Sequence, residues 1–234
     1  MKLTILGSCR QDSLHSYFDV TNIKNGLTFP HYSKEIVQTI EFCKQISTMP
    51  KHLTRFMFRS GMLDRREIDP NEFADQYNST DIFVIEIASR IQYEYKGFYA
   101  HHIITEPGYH FPDRSNILER NATDEEIEYD ILRIRELLAG KPFIIVSHIC
   151  TRREGKRYEL VELLTRICTK YTIPLFVPHE QLANEDPDML YQKEHLLSHY
   201  TPLGHECVGK YYKTFIDTVL KNTPIQKEIE QGNP

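Results

Sequence analysis

The stretch Leu3-Thr4-Ile5-Leu6-Gly7-Ser8-Cys9-Arg10 decides the fold, because it joins a short apolar run to a glycine and to two side chains that can act as nucleophiles. The apolar run is too short for a helix and predicts a buried first strand. Gly7 permits the tight backbone that ends such a strand. Residues 11–18 can then begin a helix. We therefore predict a strand, a sharp turn and a helix that present Ser8 or Cys9 at the carboxyl end of the strand.

Two interpretations of this turn are open. The first residues of a helix lie among unpaired backbone N–H groups at the positive end of the helix dipole, which favours a thiolate or a developing oxyanion. Arg10 would add positive charge to that environment. The alternative is an ordinary junction between a strand and a loop, with a thiol that is buried and inert.

A second stretch, near the other end of the chain, reads Ser198-His199-Tyr200-Thr201-Pro202-Leu203-Gly204-His205. Together the two stretches resemble the first and last blocks of the SGNH/GDSL hydrolase superfamily. The likeness is greatest to the branch whose first block is Gly-Ser-Cys, the GSCFA-like and related polysaccharide-modifying proteins. The resemblance implies that Cys9 is the nucleophile and His199 the catalytic histidine. Gly204 and His205 would then begin the closing helix.

The family pattern places the nucleophile two residues after the glycine, so Cys9 takes that position and Ser8 is the alternative nucleophile. The family usually has an acid three residues before its histidine, and this chain has Leu196 there. Three explanations are open: an acid at another position orients His199, the site is a dyad, or the site has lost its activity. The candidate acids are Glu194, Asp188 and Asp186.

Stabilisation of an oxyanion requires hydrogen-bond donors near the nucleophile. The resemblance implies a donor block after the central strand, but the asparagine expected there is absent, and Ser89 and Arg90 occupy the place. Structural roles for both residues are the alternative. For His31, in the loop before the first long helix, the alternative is a surface histidine, and for His148, after a later strand, it is a hydrogen-bonded histidine at the edge of the core. The predicted oxyanion and substrate contacts are Gly26, Ser89, Arg90, Arg10, His31 and His148.

The rest of the chain alternates apolar runs with amphipathic segments. Residues 81–89 form the strongest interior strand, nearly continuous in apolar side chains as expected for a parallel strand covered on both faces. We predict a three-layer α/β/α sandwich with a central, mostly parallel sheet of about five strands in the flavodoxin-like or SGNH order. We expect one domain over residues 1–220, with irregular inserts at 51–77 and 91–121 and a polar tail at 221–234.

The composition narrows the class of protein. The chain has 234 residues, of which 40% are hydrophobic and 26% charged, and a formal net charge of −5. The absence of a basic block argues against nucleic-acid binding. The absence of a long apolar run argues against a membrane span, and without a secretory leader we expect a cytoplasmic protein. Five irregularly spaced cysteines indicate free thiols.

The insert at 91–121 is rich in aromatic residues and contains His101 and His102 side by side. We interpret this insert as a substrate lid. Adjacent side chains point apart in a strand, and no acid or thiol lies at the spacing of a metal ligand set. The sequence therefore predicts neither a metal nor another cofactor.

The resemblance implies an esterase or O-acyltransferase that works through an acyl-enzyme on an O-ester, with a carbohydrate or similar polyol as the substrate class. A small-molecule or carbohydrate ester would then be the partner. The alternative is a non-catalytic module that binds a carbohydrate or nucleotide in the same cleft.

Overall fold

The computed structural model describes residues 1–20, 30–58, 68–195 and 198–222. Its eight strands are Lys2–Leu6 (β1), Asp19–Val20 (β2), Ile82–Ile87 (β3), Ile91–Tyr95 (β4), Phe98–Tyr99 (β5), Leu118–Asn121 (β6), Phe143–Ser147 (β7) and Leu175–Phe176 (β8). Five of them form a sheet in the order β2-β1-β3-β7-β8, and every neighbouring pair in it is parallel. This is the flavodoxin-like order, so the predicted fold class is confirmed.

Eight α-helices are described: Ser33–Cys43 (α1), Lys51–Thr54 (α2), Pro70–Ser79 (α3), Asp124–Leu138 (α4), Lys156–Tyr171 (α5), Pro178–Gln181 (α6), Pro187–Leu190 (α7) and Pro202–Asn222 (α8). Helix α4 begins as its sequence predicts, with a capping box in which Thr123 and Glu126 each bond the other's backbone N–H. None of the described helices combines the length and the apolarity needed to cross a membrane.

The helices cover both faces of the sheet. Strand β3 is buried at all six positions, so its side chains alternate between two apolar clusters. Phe83 and Ile85 pack with α1, α3, α4 and α5 on one face. Val84 packs on the other face with the 3₁₀ helix Cys9–Ser16 and with α8. The result is the three-layer arrangement that the alternation of elements predicts.

Local structure differs from the sequence prediction in three places. After β1 the chain forms the 3₁₀ helix Cys9–Ser16, which begins two residues before the helix that we expected from Gln11. The insert predicted to be irregular at 51–77 contains α2 and α3 in its described part. The insert at 91–121 contains an antiparallel sheet of order β5-β4-β6 and three short 3₁₀ helices. The described parts of the two inserts pack together around Leu53, Phe56, Tyr95, Ile104 and Phe111.

Candidate active site at the carboxyl edge of the sheet

The turn after β1 is held against β3 at very short range. A Cβ atom at Gly7 would lie 2.7 Å from the Cβ of Glu86, so only glycine allows this approach. Ser8 then begins the 3₁₀ helix, since its hydroxyl accepts the N–H of Arg10 at 3.4 Å. The close approach of the two strands fixes where Cys9, the first residue of that helix, must lie.

A buried carboxylate organises the turn. Oε2 of Glu86 accepts the Ser8 backbone N–H at 2.8 Å and the Ser8 hydroxyl at 2.5 Å, while Nε of Arg10 donates to Oε1 at 3.0 Å. When the side-chain amide of Gln11 is turned so that its NH₂ group faces the Ser8 carbonyl and Glu86, this group also donates to Glu86 Oε2 at 3.1 Å. Burial opposes ionisation of Glu86, but the Arg10 charge and the Ser8 hydrogen bonds outweigh it and hold the pKa at about 2. Glu86 is therefore an anion at neutral pH and binds two residues that flank Cys9.

The thiol of Cys9 is half-buried. Burial raises its pKa above the ordinary value, the nearby Arg10 charge acts in the opposite direction, and the Asp12 and Glu86 charges add to the rise. The thiolate that we expected from the helix terminus is therefore not favoured, because loss of hydration and the two carboxylates outweigh the positive charge. A nucleophilic Cys9 would need a base to take its proton.

Tyr200, which follows His199 in the chain, is influenced electrostatically by the same buried ion pair. Tyr200 is fully buried, and both Glu86 and Arg10 act electrostatically on its hydroxyl, whose pKa is raised mainly by burial. His199 itself is half-buried, and its Nδ1 lies 3.2 Å from the hydroxyl of Ser198. Its carbonyl accepts the Gln192 N–H at 2.9 Å. Tyr200, the residue after His199, thus lies within the electrostatic influence of the ion pair beside Cys9.

The three candidate acids are exposed, and two of them have local contacts. The carboxylate of Asp186 accepts the Asp188 N–H at 3.0 Å and caps α7. Asp188 forms an ion pair with Lys193 at 3.0 Å. Glu194 lies in the 3₁₀ helix Lys193–His195, and Leu196, which stands at the usual acid position, lies outside the described residues. These contacts give Asp186 and Asp188 structural roles at the surface.

The predicted oxyanion donors that follow β3, Ser89 and Arg90, have other contacts. The backbone N–H groups of Ala88 and Ser89 both donate to the His31 carbonyl at 2.9 Å. The Ser89 hydroxyl accepts the Ile91 N–H at 2.9 Å. Arg90 pairs with Asp124 at 2.5 Å, at the start of α4. The Arg90 guanidinium thus links the segment after β3 to α4, and its role at an oxyanion stays a prediction. Gly26 lies outside the described residues.

Of the two candidate histidines, His148 lies at the ion pair. It is buried after β7, and its Nδ1 lies 2.7 Å from the Ile149 carbonyl oxygen. Burial and the Arg10 charge lower its pKa to about 3, so the ring is neutral at physiological pH. This is the hydrogen-bonded role at the edge of the core, the alternative left open above. His31 lies instead beside His101 and His102, with ring centroids 4.5 and 5.1 Å apart.

A cavity of about 600 Å³ opens beyond β7 and is lined by Cys150, Arg152, Lys156, Arg157, Asp188 and Lys193, among others. After burial, the Arg10 charge is the largest influence that lowers the pKa of Arg157. Arg157 thus brings this cavity within the electrostatic influence of Arg10, while the described residues that line it include neither Cys9 nor His199. Its lining combines cations with carboxylates, so it offers hydrogen-bond partners to a polar ligand.

Glu86 is the residue that the site prediction left out. Its signal in the sequence is one acidic side chain inside an otherwise apolar strand, because a charge at a buried position is expensive without a partner. The same argument would have paired it with Arg10, the nearest basic residue at the end of the adjacent strand.

Comparison with known proteins gives two findings. A family model described as the TviD N-terminal domain matches residues 1–106, which is less than half of the chain. A solved structure, the crystal structure of LAE5, an alpha/beta hydrolase enzyme from the metagenome of Lake Arreo, Spain, aligns with 93% of this chain and 95% of its own at 12% identity and a TM-score of 0.40. No curated protein matches. The part of the chain that carries the Cys9 turn and Glu86 is thus similar to the TviD N-terminal domain.

Proposed function

We propose that this protein is an SGNH-like esterase or O-acyltransferase that forms an acyl-enzyme on Cys9. The observation that supports it most is the anchored turn, in which Glu86 binds Ser8 and Arg10 and leaves the half-buried Cys9 between them at the carboxyl end of β1. Parallel sheets bind ligands outside this edge. A nucleophile held on a rigid scaffold at that edge is suited to acyl transfer.

In the proposed reaction, His199 takes the Cys9 proton while Sγ bonds to the acyl carbon of an ester. The bond from that carbon to the alcohol oxygen breaks, and the alcohol leaves with the proton from His199. Water or an acceptor hydroxyl then takes the acyl group, returning a proton through His199 to the sulfur. The raised pKa of the Cys9 thiol makes the base necessary, since few thiolates exist before substrate binds.

The substrate we propose is an ester of a carbohydrate or similar polyol. The resemblance to the Gly-Ser-Cys branch supports this class. The cavity of about 600 Å³ beyond β7 also supports it, because its charged lining offers donors and acceptors for hydroxyl groups. Its size suits a molecule about as large as a sugar unit or two.

The experiment uses p-nitrophenyl acetate as the acyl donor. We expect intact-protein mass spectrometry to show one acetyl group, peptide mapping to place it on Cys9, and neutral hydroxylamine to remove it, as a thioester requires. We expect the Cys9→Ala variant to remain unlabelled. We expect the acylation rate of His199→Ala to be lower than that of the parent by at least about 100-fold, in line with the loss of a general base.

Cys207→Ala is the matched control, since Cys207 is the other cysteine that is not fully buried. We expect it to acylate at the parent rate. Equal labelling of Cys9 and Cys207, or a rate of Cys9 acylation that is unchanged in His199→Ala, would contradict the proposal. An unlabelled parent that binds oligosaccharides in a calorimeter would instead support the non-catalytic module.

Ser8 gives a separate prediction. Its hydroxyl donates to the Glu86 carboxylate, whose pKa of about 2 makes it a poor base. We expect Ser8→Ala to keep the adduct on Cys9 and to lower the free energy of unfolding by about 2 kcal/mol, the value of a hydrogen bond to a charged group. Peptide mapping of the adduct and urea unfolding measure the two effects. Loss of the adduct from a folded Ser8→Ala protein would identify Ser8 as the nucleophile.

A further inference from the structure

Three histidine rings from two distant parts of the chain converge near the end of β3. His31 precedes α1, while His101 and His102 begin the 3₁₀ helix His102–Thr105. The ring centroids of His101 and His102 are 4.1 Å apart, and His31 lies 4.5 and 5.1 Å from them. One nitrogen from each ring lies within 4.8 Å of the other two. Nitrogens bound tetrahedrally to Zn²⁺ are about 3.4 Å apart, so small ring rotations would close the set.

His101 provides the observation that points to a ligand. Its side chain is 5% exposed, and its Nε2 has no hydrogen-bond partner among the described residues. Buried polar atoms are nearly always paired, and an unpaired one calls for an explanation such as an ion. The other ring nitrogen, Nδ1, accepts the Ile103 N–H at 3.2 Å, so the ring is held with Nε2 directed away from that contact.

The segments that carry the histidines are fixed by the backbone around them. The His31 N–H donates to Glu35 at 2.9 Å, and its carbonyl accepts the Ala88 and Ser89 N–H groups. The His101 N–H donates to the Phe56 carbonyl at 2.9 Å. Positions held in this way favour binding, because little freedom remains to be lost when an ion enters.

We propose that His31, His101 and His102 form a binding site for a divalent transition-metal ion of the Zn²⁺ class. Imidazole nitrogens suit Zn²⁺, Co²⁺ and Ni²⁺, whereas Mg²⁺ and Ca²⁺ require oxygen ligands. Three protein ligands leave the fourth position open to water or to a small ligand. We expected His101 and His102 to lie in a strand and to point apart, which would separate their nitrogens. Their place at the start of a 3₁₀ helix puts the two rings side by side.

Glu106 supports the role of His102. Its Oε1 lies 3.4 Å from His102 Nε2, so a carboxylate faces one nitrogen of this ring and Nδ1 remains for the ion. Histidines that bind metals commonly have a carboxylate behind them, which orients the ring and strengthens the ligand.

Metal binding changes the proton on His101. Because Nδ1 accepts a hydrogen bond in the neutral ring, the ring proton is on Nε2. An ion bound to Nε2 requires that proton to move to Nδ1, which makes Nδ1 a donor facing the Ile103 N–H, so the ring must also rotate away from that N–H. The lost hydrogen bond is long and neutral, and a metal–nitrogen bond replaces it.

The experiment titrates Co²⁺ into the full chain after treatment with a chelator and dialysis. We expect visible ligand-field absorption that saturates at one Co²⁺ per chain and is abolished by Zn²⁺. We expect no cobalt–thiolate charge-transfer band in the near ultraviolet, because the ligands are imidazoles. Zn²⁺ should also raise the midpoint of thermal unfolding, since it binds the folded chain.

His102→Ala is the principal variant, because its ring is partly exposed and its removal leaves no large cavity. We expect it to weaken Zn²⁺ binding by at least about 10-fold. His52→Ala, at an exposed position on α2, is the control and should bind as the parent does. Equal affinity in the two variants, no visible absorption in the parent, or a thiolate band would overturn the proposal. These readouts do not depend on acyl transfer, so the site and the proposed function can fail separately.

Discussion

Replacement of Glu86 by glutamine is expected to lower the free energy of unfolding by about 3–5 kcal/mol, which is the usual effect of breaking a buried ion pair by removing one partner. Arg10 and Glu86 are 8% and 1% exposed in their side chains, so little water can replace the lost carboxylate. Glutamine keeps the volume and can still accept hydrogen bonds from Ser8. The variant therefore isolates the effect of the charge, and urea unfolding followed by circular dichroism measures it.

The matched control is Glu206→Gln, which removes one partner of an exposed ion pair with Lys210 on α8. We expect no measurable change there, because solvent already screens the pair. A second comparison adds Arg10→Met to Glu86→Gln, and we expect the double variant to be more stable than Glu86→Gln alone, since it leaves no unpaired buried charge. A double variant less stable than the single one would mean that Arg10 has another essential partner.

The same ion pair predicts how stability depends on pH. The pKa of Glu86 is lowered from 4.5 to about 2, so its carboxylate stabilises the folded state above pH 4.5. That contribution is lost as the pH falls from 4.5 toward 2, because the unfolded chain takes up the proton first. The difference in unfolding free energy between the parent and Glu86→Gln should therefore shrink over this range. A constant difference would show that the charge is not its source.

The sheet could be predicted from the sequence because parallel strands buried on both faces leave a distinct pattern. β3 and β7 are apolar runs that end in polar residues, and Thr123 with Glu126 identifies the start of α4. Helix α3 was missed although Asp69 and Pro70 are a proper helix start. It buries only Phe73, Gln76 and Tyr77 among mixed charges, so its apolar stripe is faint. β6 was missed because all four of its residues are exposed.

The sequence predicts the location of the site, at the carboxyl edge of the sheet, but not the contacts within it. The carboxyl ends of β1, β3 and β7 meet there, and Arg10, Glu86 and His148 interact as that topology requires. The partner of each side chain depends on contacts between distant segments. Arg90 pairs with Asp124, and His31 meets a histidine pair 70 residues later. Such contacts cannot be predicted from the local spacing of residues in the sequence.

The close approach of α8 to the chain before it gives the second large effect. A Cβ atom at Gly204 would overlap the Leu190 carbonyl oxygen, and that oxygen accepts the Thr201 N–H at 2.8 Å. Backbone atoms cannot move aside as the end of a side chain can. We expect Gly204→Ala to lower the free energy of unfolding by about 3 kcal/mol, at the upper end of overpacking, in spite of the better helix propensity of alanine.

Alanine variants of two other glycines serve as comparisons for this prediction. At Gly209 the nearest atom is the ring edge of Tyr17 at 2.7 Å, which can move, so we expect a loss of about 1 kcal/mol. At Gly108 nothing lies within 4 Å of the added Cβ, and we expect a change within about 0.5 kcal/mol. Urea unfolding should rank the alanine variants in that order.

Because Thr201 lies two residues after His199, Gly204→Ala should also slow acylation of Cys9 under conditions where it remains folded, and Gly108→Ala should not. A Gly204→Ala protein with the parent's stability and acylation rate would mean that α8 does not hold the loop in place.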